Sequence, residues 1–397
     1  MTNSRTEAIF IISRWLISRD FPDRMIQSGV DHAFITDMVY TTIRGYAALE
    51  WILKKFLKKT PNGETLAALL LGTAQIILMD DVADHAAVNE TVEAAKERSR
   101  SSAALINAVL RNIVRNREAL LTELHQQPLH IRESHPEVLV KRWTERYGAE
   151  ATELLCRWNN QPAETFITRK PGADGCSVFE LLPRGQRVQD VSGYAEGEFI
   201  VQDPATAAAI ELLNLRPGLS VLDGCAAPGG KTIQIAWRAY ESKILALDCY
   251  QERLASIHEN LRRTGQEHVQ VEQADLTLPA DEIKRKHGLF DRILLDVPCS
   301  NTGVLRRRAD ARWRWSERRL MRLLRQQRKI LTNTVELLAK DGILVYSTCS
   351  IEPEENSVLI NEFIADNPQL KVVDSIEKLP FRDHSDGAFA CALKKIL

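Results

Sequence analysis

Two cysteines fifty positions apart, Cys299 in the run DVPCS and Cys349 in the run STCS, have the type and setting that nucleophilic chemistry requires. A thiolate adds to electron-poor carbon and leaves again, so a pair of thiols can both make and break a covalent bond. A free cysteine taken alone is ordinarily inert packing. Each of these, however, follows directly on an apolar run, FDRILLDV at 290–297 and GILVYS at 342–347, that stops at a turn signal. Short runs of Ile, Leu and Val read as buried parallel strands. In an open α/β sheet the ligand lies beyond the carboxyl ends of the strands, so both thiols are expected at one crevice. Asp296, two residues before Pro298, ends the first of these strands and joins them there.

A second set of residues has the pattern of a cofactor site. Asp223, Gly224, Cys225, Ala226, Ala227, Pro228, Gly229, Gly230, Lys231 and Thr232 follow the strand at 220–223 and open a helix. Glycines there let backbone approach a ligand, and amides at a helix start favour anionic groups. The run nearly mimics a phosphate loop, but five residues separate Gly224 from Gly230 where a Walker loop has four. With RILLD at 292–296 read as a magnesium-binding strand, a nucleoside triphosphatase is the natural rival, and the spacing counts against it. Asp248, at the end of the next strand, suits both hydroxyls of an unphosphorylated ribose, and Asp275, after the third, suits an adenine edge. Either aspartate alone could be a loop cap. Together they favour a nucleoside cofactor without a triphosphate, and S-adenosylmethionine fits that description.

The elements that must position these residues divide the chain in three. Residues 1–127 read as helical, with 3.6-residue apolar spacing at 8–17, 35–57, 66–79 and 103–121, a turn at Asn62-Gly63 and a helix start at Asp84. His85 lies at that start, where packing or capping suits it better than metal ligation. Residues 128–198 shift to Pro, Gly and short β-like pieces at 165–168 and 178–182, and read as a connecting subdomain that contacts RNA. Residues 199–397 open with a helix near 204–213 and then alternate. Strands are predicted at 220–223, 243–248, 269–274, 292–297, 343–347, 371–373 and 388–393, a doubly wound, mostly parallel α/β sheet with helices on both faces.

Composition sets limits on function. The 397 residues carry a formal charge of −1, with 44% hydrophobic and 26% charged residues, ordinary for a globular protein, so nucleic-acid binding would need a local patch. The apolar run at 8–17 contains Arg14 and lacks a leader's flanks, and no stretch approaches the roughly 18 apolar residues of a membrane span. Seven cysteines without paired spacing argue against a disulfide framework and for a reducing cytoplasm. No Cys or His spacing suggests a metal.

Three segments carry a specific resemblance. The loop at 223–232, FDRILLDVPCSNTG at 290–303 and YSTCSIEPEEN at 346–356 resemble the motifs of the RNA cytosine-C5 methyltransferases. The helical N-terminal region, with AVNE at 87–90 and INAVLRN at 106–112, is similar to the NusB-like extension of the branch that methylates 16S rRNA. The resemblance spans nearly the whole chain. It implies a NusB-like helical domain before a Rossmann-like catalytic domain, S-adenosylmethionine as methyl donor, rRNA or an assembly particle as partner, and a monomer in the cytoplasm. It also implies roles. Cys349 attacks C6 of cytosine, Cys299 assists breakdown of the adduct or product release, and Asp296 holds the N3 edge of the base. Lys231 either assists electrostatically or fixes the cofactor loop. Cys225, Ala226, Ala227, Pro228, Gly229, Gly230, Lys231, Asp248, Asp275 and Asp296 line the cofactor. Pro353, Glu354 and Glu355 mark a following helix start whose dipole could favour the thiolate. A base in duplex RNA cannot reach the thiols, so the target is single-stranded or flipped out.

The RNA-facing surface is expected at 306–329. There Arg306, Arg307, Arg308, Arg312, Arg314, Arg318, Arg319, Arg322, Arg325, Arg328 and Lys329 face only Asp310 and Glu317, with Trp313 and Trp315 interleaved for stacking. Arg306, Arg307, Arg308, Arg312 and Trp313, next to the Pro-Cys motif, are the leading contacts. Against this, Leu320, Leu324, Leu331 and Val335 supply an ordinary core stripe. Three features depart from the family pattern. Gly224 stands where a bulky apolar residue is usual, Asn301 replaces a small residue after Pro-Cys-Ser, and the stretch at 170–178 is abbreviated, which affects RNA-site selection more than catalysis. A DNA cytosine methyltransferase would take its nucleophile from the Pro-Cys motif and leave Cys349 unexplained. Methylation of another RNA such as tRNA and a non-catalytic assembly factor are the remaining alternatives.

Overall fold

The computed structural model describes residues 4–19, 21–26, 31–61, 63–98, 100–172 and 178–396, so Asn62 and much of the abbreviated stretch lie outside the described residues. It forms two compact units, Met1–Gln161 with Leu305–Trp315, and Pro162–Val304 with Ser316–Leu397.

The first unit is helical. Its centre is the helix Gly63–Leu78, buried on every side from Ala67 to Ile77, which is how a helix apolar all round must sit. Ser4–Ser18, His32–Arg44, Tyr46–Lys54, Asp84–Arg98 and Ala103–Arg115 surround it. Gly72 lets the Ala103–Arg115 helix come close, since a Cβ there would lie 2.5 Å from Leu110 Cδ1. The single long period at 35–57 is interrupted at Gly45, and that at 103–121 at Asn116.

The unit continues past the expected boundary at 127. Helices Glu137–Tyr147 and Ala149–Asn160 belong to it, within the stretch 128–198 that reads as a connecting subdomain for its Pro and Gly, Pro136 and Gly148 being two of these. Both residues sit at helix ends. Pro136 precedes the first turn and Gly148, at φ +84°, separates the two helices, where glycine meets no Cβ penalty. Leu305–Trp315 completes the unit, with Ala309 fully buried in its core.

The second unit holds two sheets. In the smaller, β1 (Phe166–Arg169) pairs antiparallel with β2 (Phe179–Leu181) and β3 (Phe199–Val201) over a core of Ile167, Leu182 and Phe199. The larger contains β4 (Ser220–Asp223), β5 (Lys243–Asp248), β6 (Gln270–Gln273), β7 (Phe290–Asp296), β8 (Leu338–Thr348), β9 (Leu370–Lys378) and β10 (Ala388–Lys395) in the order β6-β5-β4-β7-β8-β10-β9. β4 to β8 run parallel and β10 runs antiparallel between β8 and β9. The sheet is buried on both faces, by Ile233, Ile235, Ile257 and Leu261 on one side and by Ile330, Leu331, Leu359 and Phe363 on the other. That two-sided burial is why β5 and β7 are near-continuous apolar runs, whereas the edge strand β6, QVEQ, is polar and only partly buried. Strand order changes direction at β4, so the ends of β4, β5 and β7 form the switch point at which α/β sheets bind ligands.

Candidate active site

The loop after β4 is held from both sides. Gly224 donates its amide to Leu294 O at 2.8 Å and Ala226 to Leu247 O at 2.9 Å. A Cβ at Gly224 would lie 2.6 Å from Leu295 and 2.8 Å from Leu276, so these two leucines fill the space a larger residue would take. Gly229, at φ +103°, turns the chain into the helix Gly230–Arg238. Thr232 Oγ1 donates to Asp223 Oδ2 at 2.6 Å. Burial pushes the Asp223 carboxyl up to about 6, against the opposing pull of the Thr232 bond and the Lys231 charge.

These residues fit S-adenosylmethionine. Asp248 is buried at the end of β5, and its carboxylate accepts from the amides of Ala227 at 3.3 Å and Tyr250 at 3.1 Å. The chain there lies beside the loop formed by Cys225, Ala226, Ala227, Pro228, Gly229 and Gly230. Asp223 Oδ1 has no hydrogen-bond partner among the described residues, an open acceptor suited to a cationic amino acid group. Asp275 is exposed after β6, where its Oδ1 accepts from the amide and hydroxyl of Thr277 at 2.9 and 2.7 Å.

The four expected catalytic groups meet beyond β7 and β8. Lys231 Nζ donates to Asp296 Oδ2 at 2.6 Å, and Ser347 Oγ donates to Asp296 Oδ1 at 2.9 Å. Lys231 therefore faces the end of β7. Burial pulls its ammonium down, yet Asp296, Asp223 and the nearby Cys349 together raise it above its ordinary value, so it stays charged. The Cys299 and Cys349 sulfurs are 3.3 Å apart. Contact with Cys349 and then burial hold the Cys299 thiol well above its usual range.

A buried polar cluster that sequence reading missed braces the two cysteine loops. Glu355 Oε1 accepts from Ser300 N at 2.9 Å and Gln327 Nε2 at 3.0 Å, while Oε2 accepts from Ser350 Oγ at 2.6 Å and from Ser300 Oγ. Burial raises the Glu355 carboxyl and these bonds only partly offset it. Expected as a helix-start acid, Glu355 lies instead in a 3-10 turn, Pro353–Glu355, facing inward. The pairing of an acidic residue with serines next to each cysteine was the only signal for it. Behind the cysteines, Gly303 N donates to Cys349 O at 3.0 Å and Gly387 N to Gly303 O at 2.7 Å. A Cβ on Gly387 would lie 2.6 Å from Gly303 Cα, so only glycine permits this approach.

The basic run divides. Arg312 is fully buried, and donates to Ser134 O at 3.0 Å, Asn160 Oδ1 at 2.8 Å and Asn159 O at 2.9 Å. Arg306 is buried with its guanidinium 4.3 Å from the Trp158 ring centroid, and Arg308 pairs with Asp23 at 2.9 Å. Trp313 donates from Nε1 to Ile43 O at 2.8 Å and packs edge-on to Tyr46 at 5.2 Å. Arg307 is partly buried in the same segment. Four of the five residues expected to contact RNA thus serve the helical unit: two are buried, and all four are engaged within the unit. Arg318, Arg322, Arg325 and Lys329 are exposed on the helix Glu317–Val335, which Ser316 caps by accepting from Arg319 N at 3.2 Å. No group of three metal-ligating side chains occurs among the described residues, and none of their helices is long and apolar enough to cross a membrane.

Known proteins resemble this chain in sequence and fold. Residues 210–394 match the family described as 16S rRNA methyltransferase RsmB/F, and residues 2–115 match the NusB family. Ribosomal RNA small subunit methyltransferase B of Klebsiella pneumoniae (strain 342) is 32% identical over 93% of this chain and 91% of its own. Probable ribosomal RNA small subunit methyltransferase B of Bacillus subtilis (strain 168) is 30% identical over the same shares. The crystal structure of PH0851 superposes with a TM-score of 0.80 at 21% identity, covering 100% of this chain and 99% of that one, which establishes the shared fold. With a NusB domain, a seven-stranded methyltransferase sheet and relatives that match it nearly end to end, the chain belongs to the ribosomal RNA small subunit methyltransferase B family, S-adenosylmethionine-dependent methyltransferases of 16S rRNA.

Proposed function

We propose that the methyl group goes to C5 of a cytosine in 16S rRNA through a covalent bond between Cys349 Sγ and C6 of the base. The observation that carries this reading is the 3.3 Å approach of the Cys349 and Cys299 sulfurs at the strand ends that also present the Lys231–Asp296 pair. C5 of cytosine is a poor nucleophile, and addition of sulfur at C6 turns it into an enamine carbon. When bound, S-adenosylmethionine supplies an electrophilic methyl group at this end of the sheet.

The residues then divide the work. Cys349 gives its electron pair to C6 as its S–H bond breaks, and negative charge grows toward N3 of the ring, which takes up the proton the thiol releases. Asp296 accepts the hydrogen bond from that edge, an interaction stronger in the transition state than in the ground state. Lys231 and Ser347 keep the Asp296 carboxylate in place. Once C5 carries the methyl group, loss of its proton to solvent expels the Cys349 sulfur as a thiolate, and N3 returns the proton it took up. Cys299, held protonated by its neighbour and by burial, offers an S–H to the departing thiolate, which supports its role in release. The target base reaches these groups unpaired, as a single-stranded or flipped-out nucleotide.

The test is denaturing-gel trapping with 16S rRNA and S-adenosylmethionine. Cys299→Ala should accumulate an enzyme–RNA adduct and Cys349→Ala should yield none. The reverse pattern would exchange the two roles, and methyl transfer to C5 by Cys349→Ala would remove the covalent route.

A further inference from the structure

One side chain touches both cysteine segments and differs from the small residue that the family resemblance leads one to expect. Asn301 lies two residues beyond Cys299, with φ +62°, a left-handed conformation that Asn tolerates better than most residues. Its Nδ2 donates to Cys299 O at 3.2 Å, which fixes the direction of the amide. Its Oδ1 consequently faces Cys349 Sγ, also at 3.2 Å. An amide oxygen only accepts, so this contact exists only while Cys349 carries its proton. With that proton committed to Asn301, the Cys299–Cys349 contact requires Cys299 as donor. The order of donation is Cys299 to Cys349 to Asn301.

We propose that Asn301 is a positioning residue that keeps the Cys349 thiol protonated and aimed before substrate arrives. The inference rests on the reading of Cys349 as nucleophile. A hydrogen bond to the neutral form of a group opposes its ionisation, because the acceptor lone pair would then face a negative sulfur. The other groups that face this sulfur are the Lys231 ammonium and the Cys299 S–H, while the Asp296 carboxylate is paired with Lys231 and Glu355 lies behind Ser300. Asn301 is the partner that accepts the thiol's hydrogen bond. Movement of its amide as the base enters would free the sulfur where C6 is presented, and would limit reaction of the thiolate with other electrophiles.

The test uses the full-length protein without RNA or methyl donor. Alkylation by iodoacetamide is followed from pH 6 to 9.5, with the Cys349 and Cys299 peptides quantified separately by mass spectrometry. Asn301→Gly keeps the left-handed backbone and removes the acceptor, whereas Asn301→Asp keeps an acceptor and adds charge. Asn301→Gly should move the Cys349 curve to lower pH and raise its alkylation at pH 7.5 by about two- to threefold, the gain in thiolate being partly offset by lower nucleophilicity. Asn301→Asp should move it to higher pH. A Cys349 curve that Asn301→Gly leaves in place or moves upward, or that both variants move the same way, would overturn the proposal. Because neither substrate is present, failure of the covalent mechanism in the adduct assay would be a separate result.

Discussion

The seven residues from Pro298 to Val304 and the eleven of Leu305–Trp315 are consecutive in the chain but are held in different ways. The first segment keeps its reactive atoms at a sheet end, and its polar groups are tied to Glu355, Ser350 and Cys349. The second spends its charge on structure in the helical unit, where Arg312 serves two carbonyls and an amide and Arg306 covers Trp158. The difference shows that charge density alone does not identify a nucleic-acid surface. Aromatic residues between arginines suit RNA stacking, and they suit a buried guanidinium equally well.

The contrast can be broken most severely at Glu355. Glu355→Ala removes the acceptor shared by four buried donors, of which Gln327 Nε2 keeps Pro298 O and the Ser300 and Ser350 hydroxyls keep one another, and should cost roughly 3–4 kcal/mol. Urea unfolding should show that loss together with near-complete loss of methyl transfer, and retention of both would mean that the brace does not hold the first segment. Arg312→Ala should cost about 3 kcal/mol in the same measurement, since three acceptors lose a charged donor. Its affinity for rRNA, per folded molecule, should stay at the parent value. A large drop would return Arg312 to the RNA surface.

Asp223→Asn gives a test through pH. The Asp223 carboxyl stands near 6 when folded against about 3.8 when unfolded, so the native state binds its proton more tightly and this group's contribution to stability rises as pH falls through 6 and is complete below 3.8. Relative to the parent, Asp223→Asn should therefore gain roughly 2–3 kcal/mol between pH 4 and pH 7. A difference that does not change with pH would show that the carboxyl is not raised. The smallest effect is expected on the exposed helix face. Arg318→Ala or Arg325→Ala should weaken rRNA binding a few-fold and lower the log–log salt slope by up to about 0.9 each, the value for one lost phosphate contact. An unchanged slope would remove these residues from the interface.

Much of the catalytic unit was legible because its signals are local. The ends of β4 and β5 follow directly from apolar runs closed by Asp223 and Asp248, and strand-end placement groups Cys299, Asp296 and Cys349. The central bond of Lys231 to Asp296 joins residues 65 positions apart, and nothing local marks it. Glu355 was visible as an acid near a helix start, but its inward direction depends on serines in two separate loops. The helices Glu137–Tyr147 and Ala149–Asn160 were obscured because Pro136 and Gly148, placed at helix ends, have the same composition as a linker. The segment Leu305–Trp315 was the least legible, since its partners Ile43, Ser134, Trp158 and Asn159 lie more than a hundred residues upstream.

The contact of Gly387 with Gly303 has a consequence for synthesis. Gly387 braces the loop behind Cys299, and β10, which begins at the next residue, fills the place between β8 and β9. A nascent chain that has not yet released this part of its sequence from the ribosome carries both thiols but lacks the support that sets them together. The two thiol loops therefore gain this support only when residues 387–395 emerge, after the strands β4 to β8 that carry them have already been made.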